Sequence, residues 1–266
     1  MLAAERHNTI LMYISEHGKA TTNELSSLLN VSATTIRNDL NFLEKQGQLL
    51  KAYGGAFPIS HPDIEHPAVP VISQGFLKRA SQNKAEKEAI SEAALKYIHD
   101  DQCIILDAST TSYTLAKKLN RFNRLTVVTN GLYTMLTLKE FPNITVILIG
   151  GIVTPQSGFV EGTLSSDLIN KINADIAFFS ATSFTPEDGL TVFNMYEAAM
   201  KNLFLKRSKH CIALLDHSKL GSISVASFGT SDSLSLLITD EKIDKETLNE
   251  YKEKKIKVEV APYFRK

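Results

Sequence analysis

The sequence is poor in cysteine, has no net charge and contains no long apolar run, and each shortage removes a class of protein. Two cysteines, Cys103 and Cys211, are too few for a disulfide-stapled scaffold and suit a reducing compartment. Each opens an apolar run and reads as a small core residue; a disulfide between them cannot be derived. No stretch reaches the roughly 18 apolar residues that a membrane helix needs, and the N-terminus has no signal-peptide core. The expected compartment is the cytoplasm. No internal repeat and no low-complexity tract is present. The 29 Lys+Arg balance 29 Asp+Glu, so a nucleic-acid partner would have to be met by a local arrangement of charge. The 7 histidines are scattered without metal-ligand spacing, and neither a G-x-S-x-G elbow nor a P-loop occurs. No metal and no cofactor is expected.

What is present is a chain that can fold. With 266 residues, 43% of them hydrophobic and 22% charged, it can bury a sizeable core in more than one domain. Four of its 8 prolines, Pro58, Pro62, Pro67 and Pro70, crowd one stretch. Proline removes backbone donors and disfavours helix in the preceding residue, so residues 58–75 read as an extended linker. It separates a head, residues 1–57, from a body, residues 76–266.

The head reads as three helices and a hairpin. Ala3 to His17 carries Ile10, Leu11 and Ile14 at helical spacing, and Gly18 stops it. Thr22 or Asn23 caps a short second helix with Leu25, Leu28 and Leu29 on one face. Ser32 caps a third helix running to Gln46, with Gly47 as its stop. Gln48 to Ala56 reads as a β-hairpin. On the third helix, Ile36, Leu40 and Leu43 fall within about 60° of one another and form a buried stripe. Thr34, Arg37, Asn38, Asn41 and Lys45 spread over the opposite face, with Asp39 and Glu44 on the flank. Hydroxyls, amides and cations are the groups that bond phosphates and base edges. Two short helices joined by a tight turn, the second with such a face, make a helix-turn-helix. Ser32, Thr35, Lys51 and Tyr53 complete the candidate DNA-contacting set. The opposing reading is a plain three-helix cap, and the head's charges support it: five basic residues balance five acidic ones.

The body alternates strand and helix. Apolar runs at Cys103–Leu106, Leu125–Val128, Ile144–Ile149, Ile176–Phe179, Cys211–Leu215 and Leu234–Ile238 are separated by helical patterns at Thr111–Leu119, Leu132–Lys139, Gly162–Ile172 and Asn194–Arg207. A long helix over Lys78–His99 precedes them. This order predicts an α/β fold with a mainly parallel sheet, covered on both faces and binding ligands at the C-terminal ends of its strands. Small polar residues mark those ends. Asp107, Ser109, Thr110 and Thr111 offer an anion site where a strand meets a helix. Thr129, Asn130 and Gly131 form a second such turn. Asp216 and Lys219 supply a carboxylate for hydroxyls and an ammonium for phosphate. Gly150 and Gly151 would let the backbone approach a ligand closely. Singly, each is an ordinary helix cap or surface turn; successive strand ends would bring them together.

The run Val31-Ser-Ala-Thr-Thr-Ile-Arg-Asn-Asp-Leu40, with Leu43, Gly47 and Tyr53-Gly-Gly-Ala56, resembles the N-terminal signature of the DeoR family of repressors. Asn38 stands where the family has a second arginine, and Tyr53 where it has histidine. Losing one cation weakens phosphate contact or changes base preference. The body is similar to the same family from Arg79 to Asp240: Arg79, Asn83, Glu86-Lys87, Ile90, Asp107-x-Ser-Thr-Thr111, Thr129-Asn130, Gly150-Gly151, Ala174-Asp175, Phe178, Gly189-Leu-Thr191, Asp216-x-Ser-Lys219 and Ile238-Thr-Asp240. Ser109 replaces the family's usual glycine, which would strain a turn needing positive φ.

The resemblance implies a winged helix-turn-helix on a sensor domain like ribose-5-phosphate isomerase. It further implies a repressor of sugar metabolism genes, released from operator DNA by a phosphorylated sugar, and a homodimer or homotetramer. The alternative is a phosphosugar isomerase-like enzyme with an appended head. Isomerisation needs a carboxylate to move a proton between carbons. The acidic stretch such enzymes carry is reduced here to Asn173-Ala-Asp-Ile-Ala177, where Asp175 reads as structural, which leaves Glu197 as the enzyme's candidate. A third class, a protein-binding adaptor, leaves the phosphate-friendly turns unexplained. The expectation is a sensor rather than an enzyme.

Overall fold

The structure, a computed structural model, describes residues 3–46, 48–52, 54–58, 73–154, 157–162 and 164–263. Gly47, Tyr53, Pro62, Pro67 and Pro70 lie outside the described residues. The chain divides into two compact units, Met1–Val71 and Ile72–Lys266.

The first unit contains α1 (Ala3–His17), β1 (Ala20–Thr21), α2 (Thr22–Leu29), α3 (Ala33–Lys45), β2 (Leu50–Ala52) and β3 (Gly55–Phe57). The helices bury Ile10, Ile14, Leu25, Leu29, Ile36, Leu40 and Leu43 in one core with Ala20, Leu49 and Ala56. Thr21, rather than Thr22 or Asn23, caps α2. Its hydroxyl accepts from Glu24 N at 3.1 Å, and the Glu24 carboxylate accepts from Thr21 N at 2.7 Å. Ser32 caps α3 by accepting from Thr35 N at 3.1 Å. The wing is an antiparallel sheet of order β1-β3-β2. Gly55 is required there, because a Cβ would stand 2.4 Å from the Ala20 carbonyl oxygen.

The second unit opens with α4 (Gln74–Ser81) and α5 (Lys84–Leu95). The sequence predicts one helix here; the structure has two, and α4 begins inside the stretch read as linker. The break is at Asn83, which takes left-handed φ 47°. Its Nδ2 is held by the Asp216 carboxylate at 2.9 Å and by Ser218 Oγ at 3.0 Å. Lys87 Nζ closes the end of α4 by donating to the carbonyls of Arg79 and Gln82.

Next come β4 (Cys103–Leu106), α6 (Thr110–Ala116), β5 (Leu125–Thr129), α7 (Leu132–Leu138), β6 (Ile144–Leu148), α8 (Ser166–Asn170) and β7 (Ala174–Phe179). Then follow β8 (Ser183–Thr185), β9 (Gly189–Val192), α9 (Met195–Lys206), β10 (Ser208–Leu214), β11 (Ala226–Gly229), β12 (Leu236–Asp240), α10 (Lys245–Glu253) and β13 (Val258–Ala261). The expected helix Gly162–Ile172 shrinks to α8, with Gly162 at φ 84° ahead of it.

Seven strands form one parallel sheet of order β13-β12-β10-β7-β4-β5-β6. Both of its faces are apolar. One packs Ile104, Leu106, Val127 and Phe178 against α5 and α6; the other packs Ile105, Val128, Ala177 and Phe179 with α9 and the small antiparallel sheet β11-β9-β8. From β4 the chain runs outward through β5 and β6, then crosses to the other side of β4 as β7. The loops after β4 and β7 therefore part, leaving a crevice at the strands' C-terminal ends.

Candidate functional site

Two surfaces carry the sequence-predicted residues. On α3, Thr34, Arg37, Asn38, Asn41 and Lys45 are exposed, opposite the buried Ile36, Leu40 and Leu43. Thr35 Oγ1 lies 2.9 Å from Ser32 Oγ at the start of the helix. Lys51 on β2 donates from Nζ to Asn41 Oδ1, so helix and wing share one polar surface. Tyr53 lies outside the described residues. Asp39 is not on the flank. It is buried, accepting from Arg6 Nε at 2.5 Å, Arg6 Nη2 at 2.9 Å and His7 Nε2 at 2.9 Å. Burial alone would raise the Asp39 carboxyl; Arg6 and His7 outweigh it and hold it below its ordinary value. Asp39 and Arg6 neutralise each other internally, so the head's remaining charges still balance, four against four, and what matters is where they lie. The polar face of α3 and β2 keeps Arg37, Lys45 and Lys51, and Glu44 accepts from Lys51 N.

The second surface is a cavity of about 500 Å³ at the crevice. It is walled by Ala108, Ser109 and Thr110 after β4, Asn130 after β5, Phe159, and Ser180, Ala181 and Thr182 after β7. Phe193, Asn194, Glu197 and Lys201 close it from β9 and α9, Ser218 and Lys219 from the turn after β10, and Arg79 from α4. Of the eleven residues predicted to bind an effector, Ser109, Thr110, Asn130 and Lys219 line it.

Others stand behind the wall and hold it. Asp107 is 1% exposed. Its Oδ1 accepts from Ser109 Oγ and Ser112 Oγ, each at 2.6 Å, and its Oδ2 from Ser180 N at 2.9 Å and Lys201 Nζ at 2.6 Å. Burial would raise the Asp107 carboxyl and lower the Lys201 ammonium; their mutual attraction outweighs it, and both stay charged. Ser109 takes φ −73°, so it strains nothing where the family has glycine. Thr129 Oγ1 accepts from Gly131 N at 3.0 Å. A Cβ on Gly131 would stand 3.1 Å from Ala108 Cα, binding the second turn to the first. Asp216 accepts from Asn83 and Ser218. The buried Thr111 Oγ1 and Asn130 Oδ1 have no partner among the described residues. Gly150 and Gly151 are not in the wall. Gly150 O accepts from Ser165 Oγ at 2.9 Å, and Gly151, at φ 153°, lets Glu161 O approach where a Cβ would lie 2.5 Å away.

Lys219 is the wall's distinctive group. Its Nζ donates to Ser180 Oγ at 2.7 Å and makes no ion pair among the described residues. Burial, outweighing the pull of Asp216, lowers its ammonium to about 8, and Lys201 and Lys87 repel it further. The lining holds three cations, Arg79, Lys201 and Lys219, against one carboxylate, Glu197. Glu197 Oε1 lies 3.2 Å from Lys201 Nζ. Asp175, the other carboxylate weighed for catalysis, sits at the opposite, N-terminal end of β7. It accepts from Cys103 N at 3.0 Å and Lys209 Nζ at 2.8 Å. Lys209 holds it below its ordinary value.

The sequence reading missed Lys201, Ser180 and Thr182, and did not place Arg79 here. Ser180-Ala-Thr182 carried the same signal as the other turns: small polar residues after an apolar run. Lys201 follows Glu197 at i,i+4, a pattern that ordinarily marks a solvated helix face. Both cysteines are free thiols; Cys103 is half-buried, and burial pushes the Cys211 thiol up to about 11. Among the described residues, no group of three metal-ligating side chains occurs, and no helix is long and apolar enough to cross a membrane.

Comparison with known proteins matches both units. Residues 6–61 match a family model described as the DeoR-like helix-turn-helix domain, and residues 82–241 one described as the DeoR C-terminal sensor domain. HTH-type transcriptional regulator GolR of Listeria innocua is 45% identical over 261 residues, spanning 98% of this chain and all of the relative. HTH-type transcriptional repressor GlcR of Bacillus subtilis is 34% identical, over 90% of this chain and 89% of its own. A solved D-ribose-5-phosphate isomerase in complex with phospho-erythronic acid covers 50% of this chain and 52% of its own, at 20% identity and a TM-score of 0.38. Similarity at that level says nothing about activity.

Proposed function

The chain belongs to the DeoR family of transcriptional regulators, and from that premise we propose that it is a repressor of sugar metabolism genes, released from its operator by a phosphorylated sugar held in the crevice cavity. The observation that carries this is Lys219, a half-buried lysine in a cation-rich wall whose one hydrogen-bond partner among the described residues is a serine hydroxyl. An ammonium has three donors, and a phosphate monoester supplies the acceptors and charge it lacks. Ser109 and Thr110 offer hydroxyls beside it, and the unpartnered Asn130 Oδ1 accepts from a sugar hydroxyl. Asp107, Thr111, Thr129, Gly131 and Asp216 act on the ligand through this wall, as its support.

In the first unit, Arg37, Asn38, Asn41 and Lys45 of α3 read the operator, with Ser32, Thr34 and Thr35 at the helix start and Lys51 on the wing. The sign of regulation follows the relative named a repressor. Symmetric operators call for a homodimer or a dimer of dimers, and the cytoplasm is where such a regulator meets DNA. The mechanism is two-state: apo protein favours the DNA-competent form, and the sugar phosphate binds the other form more tightly. Such coupling is typically about 1–3 kcal/mol and reciprocal. A sensor fits better than an isomerase because Glu197, the carboxylate facing the cavity, is ion-paired with Lys201.

A thermal-shift screen of phosphosugars tests the reading, since a ligand at 100 times its dissociation constant adds about 2.7 kcal/mol of stability. A phosphosugar should raise the melting temperature of the parent and not that of Lys219→Ala, while both bind operator. An unaltered shift in Lys219→Ala would remove that lysine from the site. Turnover of an aldose phosphate to a ketose phosphate, lost in Glu197→Gln, would replace the sensor with an enzyme.

A further inference from the structure

Of the residues in the cavity wall, Arg79, on α4, is the one that precedes the large sheet's strands in the chain. Its guanidinium carbon lies 5.9 Å from the Phe76 ring centroid, and among the described residues it makes no ion pair. Phe76 itself is buried between Tyr113 and Tyr133, and Tyr133 Oη accepts from Ser73 N at 2.7 Å. So α4 rests on an aromatic footing and reaches a cation into the cavity. Its other end is not a continuous helix. At Asn83 the backbone turns left-handed, and the side chain that would cap α5 instead bonds Asp216 and Ser218, in the turn that bears Lys219. The Lys87 ammonium caps the last carbonyls of α4. One hydrogen-bonded joint thus ties α4 to the Lys219 turn. In sequence, α4 is the first described element after residues 59–72, which lead from the DNA-binding unit.

We propose that Arg79 contacts the effector's anionic group jointly with Lys219, and that α4, pivoting at Asn83, is the element through which effector binding changes the DNA-binding unit. This rests on the effector reading above. A guanidinium pairs with phosphate in a bidentate, directional way, so it is drawn toward an anion it does not yet touch. Lys219 is fixed by Ser180 and its turn, whereas Arg79 is exposed and has no carboxylate partner among the described residues. The anion therefore has one partner in a turn of the sheet and one on α4, a helix broken from α5 at Asn83. Ligand energy shifts a two-state equilibrium only through contacts that differ between the states, and Arg79 is positioned to make that difference. Lys219 then governs effector affinity, and Arg79 governs coupling.

The test separates affinity from coupling in the full-length chain. Inorganic phosphate, glycerol 3-phosphate, ribose 5-phosphate and fructose 6-phosphate serve as probes, with binding measured by calorimetry and operator affinity by anisotropy at saturating probe. In the parent, the probe that binds should weaken operator affinity by roughly 5–150-fold. Arg79→Ala should bind that probe about tenfold more weakly and, at full saturation, change operator affinity less than twofold. Arg79→Lys, which keeps the charge but not the fork, should recover part of the release. Asn83→Gly, which permits the same φ but severs the joint to Asp216 and Ser218, should also lower the coupling while binding the probe. Release by saturated Arg79→Ala equal to the parent's would overturn the proposal and leave the effector site standing. If no probe binds the parent, the effector reading fails and this inference falls with it.

Discussion

If the effector's phosphate sits against Lys219, its affinity should depend on pH in a range where free sugar phosphates do not titrate. The Lys219 ammonium loses its proton at about 8 in the apo cavity, because burial costs it hydration that the pull of Asp216 and Asp107 only partly returns. Phosphate binding needs the ammonium form and pulls its pKa back up. The apparent dissociation constant should therefore rise as pH climbs through 8. Comparing the protonated fractions at pH 7.5 and 9.5 gives a loss of about 25-fold, against about 1.1-fold for a lysine with an ordinary pKa near 10.4. Below about pH 6 affinity should fall again as the phosphate dianion takes up a proton. Titration calorimetry at the two pH values, in buffers of different ionisation enthalpy, measures both affinity and proton uptake. Near pH 9 about one proton should enter with each ligand, and Lys219→Arg should abolish both the uptake and the high-pH loss. A change under twofold in the parent would refute the placement of the anion against Lys219. The same group affects folding. Its folded pKa lies below its unfolded value, so the unfolded chain holds more protons between pH 8 and 10.5, and apo stability contributed by this site should rise across that window.

Other consequences lie farther from that lysine. Arg37→Ala, on the exposed face of α3, should weaken operator binding by about tenfold or more and leave the phosphosugar thermal shift intact, because an outward charge serves the complex and not the fold; gel-shift titration beside a melting curve checks it. Lys201→Met should cost about 3–5 kcal/mol of stability by stranding the buried Asp107 carboxylate. Denaturant unfolding should show that loss, and the double variant Lys201→Met/Asp107→Asn should recover part of it.

Much of this architecture was legible because apolar pattern reports burial directly. The α3 stripe of Ile36, Leu40 and Leu43, and the strand runs beginning at Cys103, Leu125 and Ile144, needed only periodicity. What escaped depended on tertiary partners. The helical pattern over Lys78–His99 is continuous, and nothing local reveals that Asp216 and Ser218, far along the chain, claim the Asn83 side chain and break it. Asp39 reads as a flank charge until Arg6 and His7 of α1 fold over it. Lys201 reads as one half of a surface i,i+4 pair until α9 packs its ammonium onto Asp107. The strand-end turns were visible, but the sequence could not sort lining residues such as Ser109, Thr110 and Asn130 from buried supports such as Asp107 and Asp216, nor see that Gly150 and Gly151 serve another loop.

The central claim is that one sugar phosphate controls the grip on DNA. Its most direct measurement is the affinity of the full-length chain for an operator recovered by in vitro selection, titrated by anisotropy with and without the phosphosugar that shifts its melting temperature. The account predicts that operator affinity falls by roughly 5–150-fold, and that operator weakens phosphosugar binding by the same factor. Operator affinity unchanged at saturating phosphosugar would contradict it.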